Sequence, residues 1–173
     1  MTKKIMFSDD YCLTKAVLDG TKTMTRRLLK DNVPLGNWEE TVKHLPYKVG
    51  EVVAIAQSYK SIGKPQYDKF GKGVAGNSNK MFTRAELLPN HIRITDIKVE
   101  RLQSISDEDI LKEGVWQYPK LRAYHVSKAT GFAPDVAFLT AREAFAYLID
   151  RISGRGTWKS NPWVVAYEFK LID

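Results

Sequence analysis

Apolar and polar residues alternate most regularly between residues 92 and 102, where isoleucine, valine and leucine are separated by charged or polar residues. Successive side chains of a strand point to opposite faces, so this period predicts a strand with one buried and one solvated face. The stretches 51–59 and 163–172 are rich in β-branched and aromatic residues and predict two buried strands. A short apolar run at 4–7 predicts a fourth strand.

Helices are predicted where the apolar period lengthens and capping residues precede it. A first helix is predicted over residues 8–18, with a serine or aspartate at its start and Gly20 just past its end. The stretch 106–109, Ser-Asp-Glu-Asp, has the spacing of a capping box and predicts a short helix that Gly114 closes. The apolar positions of 140–152 recur at helical spacing and predict an amphipathic helix.

Two stretches, at about 60–80 and 117–135, carry neither pattern and are predicted to be irregular insertions. The first combines several glycines with lysines and asparagines, so it has little apolar surface to bury and is predicted to be mobile. The chain shows no internal repeat and no boundary between two cores. These patterns predict one α+β domain over residues 1–173, with a β-barrel or curved sheet and two or three flanking helices.

The charge balance changes the expected partner. The 173 residues include 27 lysines and arginines against 20 acids, a net charge of +7. Such a surplus favours a phosphate-bearing partner, either a nucleic acid or a nucleotide, although a basic but merely well-solvated surface gives the same composition. A membrane-surface role would need a basic amphipathic helix, which the sequence lacks.

Other classes are disfavoured by what the sequence omits. No apolar run approaches the roughly 18 residues that span a bilayer, and the apolar start of the chain is too short for a signal-peptide core. The single cysteine, Cys12, cannot form an internal disulfide, and no Cys/His cluster has metal-ligand spacing. We therefore expect a cytoplasmic protein with no metal and no cofactor.

The segment 20–27, Gly-Thr-Lys-Thr-Met-Thr-Arg-Arg, concentrates hydroxyls and cations around one apolar residue. Lysine and arginine supply charge and donors for a phosphate or a base carbonyl, and threonine hydroxyls both donate and accept. A regular strand would place Lys22 and Thr25 on opposite faces, so only a turn or bulge would let them cooperate. The alternative interpretation is a solvated sheet edge with ordinary surface charges.

The same segment resembles the entry motif of ASCH-domain proteins of the PUA-like superfamily, particularly members associated with phages and prophages. Three further stretches resemble that family in the same order. They are the turn and strand at 47–53, the strand and helix at 94–114 that end in Glu-Gly, and the closing strand at 161–169. Together they cover most of the chain outside the two insertions.

The resemblance implies a PUA-like β-barrel with a cleft that binds RNA or a modified nucleoside. Some small ASCH proteins are amidohydrolases that remove the acetyl group of acetylcytidine with a lysine, a threonine and a glutamate, which match Lys22, Thr25 and Glu113. A desolvated lysine with a lowered pKa is a plausible base for a threonine nucleophile. Neither insertion has a counterpart in those small hydrolases.

Three functions therefore remain open: RNA or nucleotide binding, amide hydrolysis on an acylated nucleoside, and a phage-encoded protein-interaction role with an unknown protein partner. Trp163 could stack on a base or cover the end of the core, and Tyr59 could line the cleft or its rim. Arg84 is a candidate for ligand contact because the stretch 81–84, Met-Phe-Thr-Arg, resembles a segment that precedes the alternating strand in the phage-type members. The candidate ligand-binding residues are Thr23, Arg26, Arg27, Tyr59, Arg84 and Trp163.

Overall fold

The computed structural model describes residues 1–129 and 136–173, so the predicted insertion at 117–135 lies partly outside the described residues. The strands are β1 (Lys3–Ile5), β2 (Met24–Leu28), β3 (Val52–Ile55), β4 (His91–Arg101), β5 (Trp116–Gln117), β6 (Tyr124–Val126), β7 (Val136–Phe138) and β8 (Trp163–Leu171). The α-helices are α1 (Leu13–Leu18), α2 (Trp38–His44), α3 (Asp107–Lys112), α4 (Ala141–Ser153) and α5 (Thr157–Ser160). The predicted α+β class is confirmed.

Five strands form the main sheet in the order β1-β3-β4-β8-β2, and β5, β6 and β7 form a small second sheet. Only β1 and β3 pair in parallel; the other described pairs are antiparallel. Closing a barrel would require the edge strands β1 and β2 to pair with each other, and among the described strands they do not. The described strands therefore form no closed barrel, and the predicted β-barrel is not confirmed.

The alternating strand is present as predicted. Ile92 and Ile94 are buried on one face of β4, and a bulge after Ile94 shifts the pattern so that Ile97 is the next buried position. The longest pairing of the sheet joins β4 to β8, which carries the buried Val165 and Tyr167. These buried side chains of both strands belong to the hydrophobic core.

Two helices begin at the predicted caps. The Ser106 hydroxyl accepts the backbone N–H of Asp109 at 3.2 Å, and the Thr140 hydroxyl accepts that of Glu143 at 3.1 Å. Gly114 follows α3 with φ +113°, and a Cβ there would lie 2.6 Å from Leu13. The glycine thus permits both the turn and the close packing of α3 against α1.

Two other helices differ from the sequence prediction. Helix α1 begins at Leu13 rather than at residue 8, because Cys12 adopts a left-handed conformation with φ 57° that interrupts any earlier helical turn. Helix α2 has no counterpart among the helices predicted from the sequence; Asn37 caps it by accepting the N–H of Glu40 at 3.4 Å. None of the helices in the described ranges combines the length and apolar character that crossing a membrane requires.

The segment 60–80 contains turns and short 3-10 helices. The buried side chain of Asn77 ties it together, since it accepts the N–H of Gln66 and donates to the carbonyl of the same residue, both at 2.8 Å. In the segment 117–135, strand β6 belongs to the small sheet, and residues 130–135 are outside the described part of the chain.

Candidate functional site

A turn between α1 and β2 positions Lys22. The backbone N–H groups of Thr21 and Lys22 both donate to the carbonyl of Ala16, and that of Thr23 donates to the carbonyl of Lys112. Regular strand geometry begins only at Met24. The turn that the sequence left open is therefore present, and it directs the Lys22 side chain inward.

Lys22 is almost completely buried, at 2% exposure. Its Nζ donates to the Met24 carbonyl at 2.5 Å, to the Glu113 carbonyl at 2.7 Å and to Glu113 Oε2 at 3.2 Å. Three acceptors match the three protons of an ammonium group. Burial lowers the pKa of Lys22, and the neighbouring Glu113 carboxylate opposes that shift.

Glu113 lies between two buried cations at the end of α3. Its Oε1 accepts from Arg26 Nη1 at 2.9 Å while Oε2 accepts from Lys22. The second terminal nitrogen of Arg26, Nη2, contacts Glu100 at 2.7 Å and Asp109 at 3.3 Å. Since each of these charges is costly to bury alone, the group is a single network whose members depend on one another.

Thr25 and Arg27 lie on the opposite face of β2 from Arg26. Thr25 Oγ1 accepts Arg27 Nε–H at 3.2 Å, and in the described residues its own hydroxyl proton has no acceptor. The Arg27 guanidinium lies 5.6 Å from the centre of the Phe7 ring and donates to the carbonyl of Met6. A hydroxyl with a cationic donor on one side thus retains a free proton.

A cavity of about 210 Å³ brings both faces together at the edge of β2 that does not pair with β8. One wall is polar and is formed by β2 and the ion network; the other is apolar and comes from α4. Lys22, Thr25 and Glu113, the residues matched to a catalytic set, all line it, as do Arg26 and Arg27. The apolar lining includes Phe7, Leu13, Leu28, Phe145, Leu148, Ile149 and Ile152.

A larger cleft of about 650 Å³ lies on the other side of the α1 turn, lined by Cys12, Thr21, Gly114 and Trp116 among others. Its charged residues include Lys15 and Asp19, which are exposed and pair with each other. Exposed pairs of this kind contribute little to stability. The smaller cavity, with its buried charges, is therefore the stronger candidate site.

The remaining predicted residues do not line the small cavity. Thr23 uses its backbone to join α3 and β8. Tyr59 is buried, and its hydroxyl accepts the backbone N–H of Arg84 at 2.9 Å, while the Arg84 side chain is exposed. Trp163 stacks with the guanidinium of Arg101 at 4.5 Å and borders a separate surface groove with Trp38.

Sequence reasoning missed the apolar wall and the outer carboxylates. Phe7 ends a short apolar run and Phe145 belongs to the apolar face of a helix, so both have a pattern typical of core residues. Glu100 and Asp109 contact Arg26 across more than 70 positions of sequence. No local signal connects residues so far apart. Within residues 1–129 and 136–173, no cluster of three or more His, Cys, Asp or Glu side chains could hold a metal ion.

No protein-family model and no curated protein matches the chain. Among solved structures it is similar to protein EF3133 of Enterococcus faecalis V583, described as DUF984, with 14% identity, a TM-score of 0.46, and coverage of 100% of this chain and 82% of that one. It is also similar to an ASCH domain of Lactobacillus crispatus JV V101, with 14% identity, a TM-score of 0.43, and coverage of 98% and 78%. Neither neighbour bears on what the site does.

Proposed function

We propose that the protein binds a single nucleobase, of a free nucleoside or of an unpaired RNA nucleotide, in the cavity beside β2. The observation that carries the proposal is the combination of one polar and one apolar wall in a cavity of about 210 Å³. A nucleobase has apolar faces and a polar edge, so it is complementary to such a space. Pockets for drug-sized ligands are larger, at roughly 300–1,000 Å³, which favours a single ring over an extended ligand.

The polar wall offers groups suited to a base. Thr25 has a free hydroxyl proton for a ring nitrogen or carbonyl, and Arg27 is held beside it. Burial of the surrounding network keeps competing water away from these donors, which strengthens each hydrogen bond. The net charge of +7 supports a phosphate-bearing form of the ligand, since phosphates outside the cavity would meet a basic protein.

The experiment is a calorimetric titration with cytidine, uridine and a short single-stranded RNA. Thr25→Val is expected to weaken nucleoside binding at least tenfold, because it removes the hydroxyl and keeps the shape. Thr21→Val is the matched control, since Thr21 is exposed on the other side of the turn. RNA affinity should fall with salt while nucleoside affinity should not. Absence of binding by all three ligands would overturn the proposal.

Amide hydrolysis on an acylated nucleoside is the second candidate, favoured by the presence of Lys22, Thr25 and Glu113 in one cavity wall. The Thr25 oxygen would attack the acyl carbon, a base would take its proton, and the C–N bond would break as the leaving amine gains a proton. Water would then release the acyl group as acetate. Arg27, which donates to Thr25 Oγ1, would stabilise negative charge on that oxygen.

The arrangement of Lys22 favours binding over turnover. All three protons of its ammonium group are used on protein acceptors, so it must release one of these bonds before it can accept a proton from Thr25. Incubation with acetylcytidine, followed by measurement of acetate, separates the two functions. Turnover predicts acetate release that Lys22→Ala and Thr25→Val both abolish; binding alone predicts none. A phage-encoded protein-interaction role stays a prediction.

A further inference from the structure

The free edge of β2 faces the small cavity with main-chain groups as well as side chains. In an antiparallel pair, the residues that exchange hydrogen bonds with the neighbouring strand alternate along the chain. The Thr23 carbonyl accepts the N–H of Phe169 at 2.9 Å, and the N–H of Leu29 donates to the carbonyl of Trp163 at 3.0 Å. The odd-numbered residues of β2, including Thr25 and Arg27, therefore bond to β8.

The even-numbered residues of β2 must then direct their N–H and C=O groups away from β8. Two contacts agree with this assignment. The Met24 carbonyl accepts from Lys22 Nζ, which lies beyond the free edge. On the far side of β8, the Leu102 N–H donates to the carbonyl of Pro162, so the even-numbered residues of that strand serve β4 instead of β2.

Arg26 is the next even-numbered residue, and its N–H and C=O point into the cavity. The cavity touches four successive residues of β2, from Thr25 to Leu28, which is the contact expected of a space that runs along a strand edge. Helix α4 closes the opposite side with Phe145 and Leu148, so no further strand fits there. A backbone donor and acceptor at a strand edge are satisfied by water or by a ligand, because leaving them unpaired is costly.

The Arg26 side chain fixes this part of the backbone. Its guanidinium is fully buried and is held by Glu100, Asp109 and Glu113. Its Nε is also one of the buried polar atoms without a hydrogen-bond partner in the described residues. A strand residue anchored by three carboxylates presents its peptide groups in a fixed direction, which is the preorganisation that a recognition site needs.

We propose that the main chain of Arg26 reads the hydrogen-bonding edge of the ligand, an inference that rests on the proposed nucleobase-binding function. The N–H donates to a ring acceptor, and the C=O accepts from the adjacent amino or imino group. In an extended residue these two groups point to the same side of the strand, so the ligand must carry an acceptor next to a donor. Cytosine offers N3 beside its N4 amino group, and uracil offers O4 beside N3–H.

The ligand class is therefore a planar ring with an unblocked amide or amidine edge. A peptide strand would also pair with a free edge, but it needs an open path along β2, and α4 obstructs that path. Because the donor and acceptor belong to the backbone, substitution of side chains alone cannot remove this recognition. Modified ligands can.

The test is a titration of ¹⁵N-labelled protein with cytidine and uridine, followed by NMR. On binding, the Arg26 amide proton is expected to shift downfield and to exchange more slowly with solvent. N4,N4-dimethylcytidine and 3-methyluridine each lose the donor on the read edge and should bind at least tenfold more weakly than their parents. The control is 5-methylcytidine, which adds a methyl group away from that edge and should bind as cytidine does.

The outcomes separate this inference from the function on which it rests. If neither parent nucleoside changes the resonances of the cavity residues, nucleobase binding itself is wrong. If a parent nucleoside shifts Thr25 and Arg27 while the Arg26 amide is unchanged and the blocked analogue binds equally well, the base is bound and the backbone does not read it. A base held by side chains alone would give that second result.

Discussion

Lysines stand at both edges of the five-stranded sheet, Lys4 on β1 and Lys22 just before β2, and both donate to backbone carbonyls. Lys4 Nζ contacts the carbonyls of residues 80, 81 and 83 and holds that segment against β1. Burial lowers the pKa of both lysines. The two edges therefore use the same device to satisfy carbonyl oxygens.

The difference lies in what surrounds each ammonium group. Among the described residues no carboxylate pairs with Lys4, whereas Lys22 shares Glu113 with a second buried cation, Arg26. A cavity adjoins Lys22. At the β1 edge, the lysine that donates to carbonyls therefore has a structural role. The carboxylate, the second cation and the adjacent space are what distinguish the β2 edge as a candidate site.

The group of buried charges at the β2 edge, formed by Lys22, Arg26 and Glu113, is also an inefficient way to stabilise a fold. Each buried ion loses several kcal/mol of hydration, and apolar residues of similar volume often replace a buried ion pair without loss. The core already includes large apolar side chains on α4. The cost of burying Lys22, Arg26 and Glu113 indicates that the cluster serves the cavity rather than the core.

The largest expected effect is on Glu113. Glu113→Ala leaves two cations buried without their shared carboxylate and should lower the free energy of unfolding by about 3–5 kcal/mol. Urea unfolding at neutral pH measures it. The matched control is Glu108→Ala on the same helix, which is exposed and should change stability by less than about 0.5 kcal/mol. Equal losses in the two variants would contradict a buried network.

The second prediction compares the two lysines directly. Lys22→Met removes three charge-assisted hydrogen bonds and should cost about 2 kcal/mol, while Glu113 keeps its bond to Arg26. Because Lys22 lines the cavity, its substitution should also weaken nucleoside binding at least tenfold. Lys4→Met should cost about 1 kcal/mol, since its side chain is partly exposed and water replaces some of the bonds.

Nucleoside titration of the two variants completes this comparison. Lys4 is not among the residues that line the cavity, so Lys4→Met should bind as the unmodified protein does. If both variants lost binding equally, the assignment of the ligand to the β2 edge would be wrong. If neither variant lost binding, Lys22 would have the same structural role as Lys4.

The third prediction concerns pH. Burial lowers the pKa of Lys22 below its ordinary 10.5, so the folded protein releases this proton before the unfolded chain does. Between the lowered pKa and 10.5 the unfolded chain binds more protons, and the free energy of unfolding contributed by Lys22 rises with pH. Unfolding measured from about pH 7 to about pH 10 should show the unmodified protein gaining stability relative to Lys22→Met. A constant difference would contradict the lowered pKa.

Local physics accounts for the parts of the fold that the sequence predicted. The alternation in β4 and the caps at Ser106 and Thr140 act within a few residues, and each is present in the structure. The start of α1 was missed because Cys12 adopts a left-handed conformation that has no signal in the sequence. Helix α2 did have a signal, Asn37 followed by acidic residues, but the nearby proline and glycine favoured a loop.

The candidate site also has parts that were predicted and parts that were not. The segment 20–27 was predicted from its composition, whereas Glu113 was placed in the same site as Lys22 only through the family resemblance. The amphipathic face of α4 was also predicted, yet nothing in the sequence indicated that it would face the edge of β2. That placement depends on tertiary packing, as does the free edge at Arg26. Both decide what the cavity accepts.

The smallest expected effect concerns Tyr167 of β8, which pairs with Thr25 of β2 but accepts no hydrogen bond from Lys4 or Lys22 among the described contacts. Its hydroxyl is buried without a hydrogen-bond partner in the described residues, so Tyr167→Phe should change stability at neutral pH by less than about 1 kcal/mol. Burial raises the pKa of Tyr167 from 10.0 to about 12. The unfolded chain then loses this proton first, and stability falls as pH rises between those values.

Tyr167→Phe should therefore remove part of the alkaline loss of stability and leave nucleoside binding unchanged. Tyr59→Phe is the contrast, because the Tyr59 hydroxyl accepts the N–H of Arg84 and its removal should cost about 1 kcal/mol at neutral pH. Absorbance near the phenolate band during an alkaline titration checks the late ionisation of Tyr167. If Tyr167→Phe weakened nucleoside binding, the ligand would have to extend past β2 onto β8, and the cavity edge would no longer mark the limit of the site.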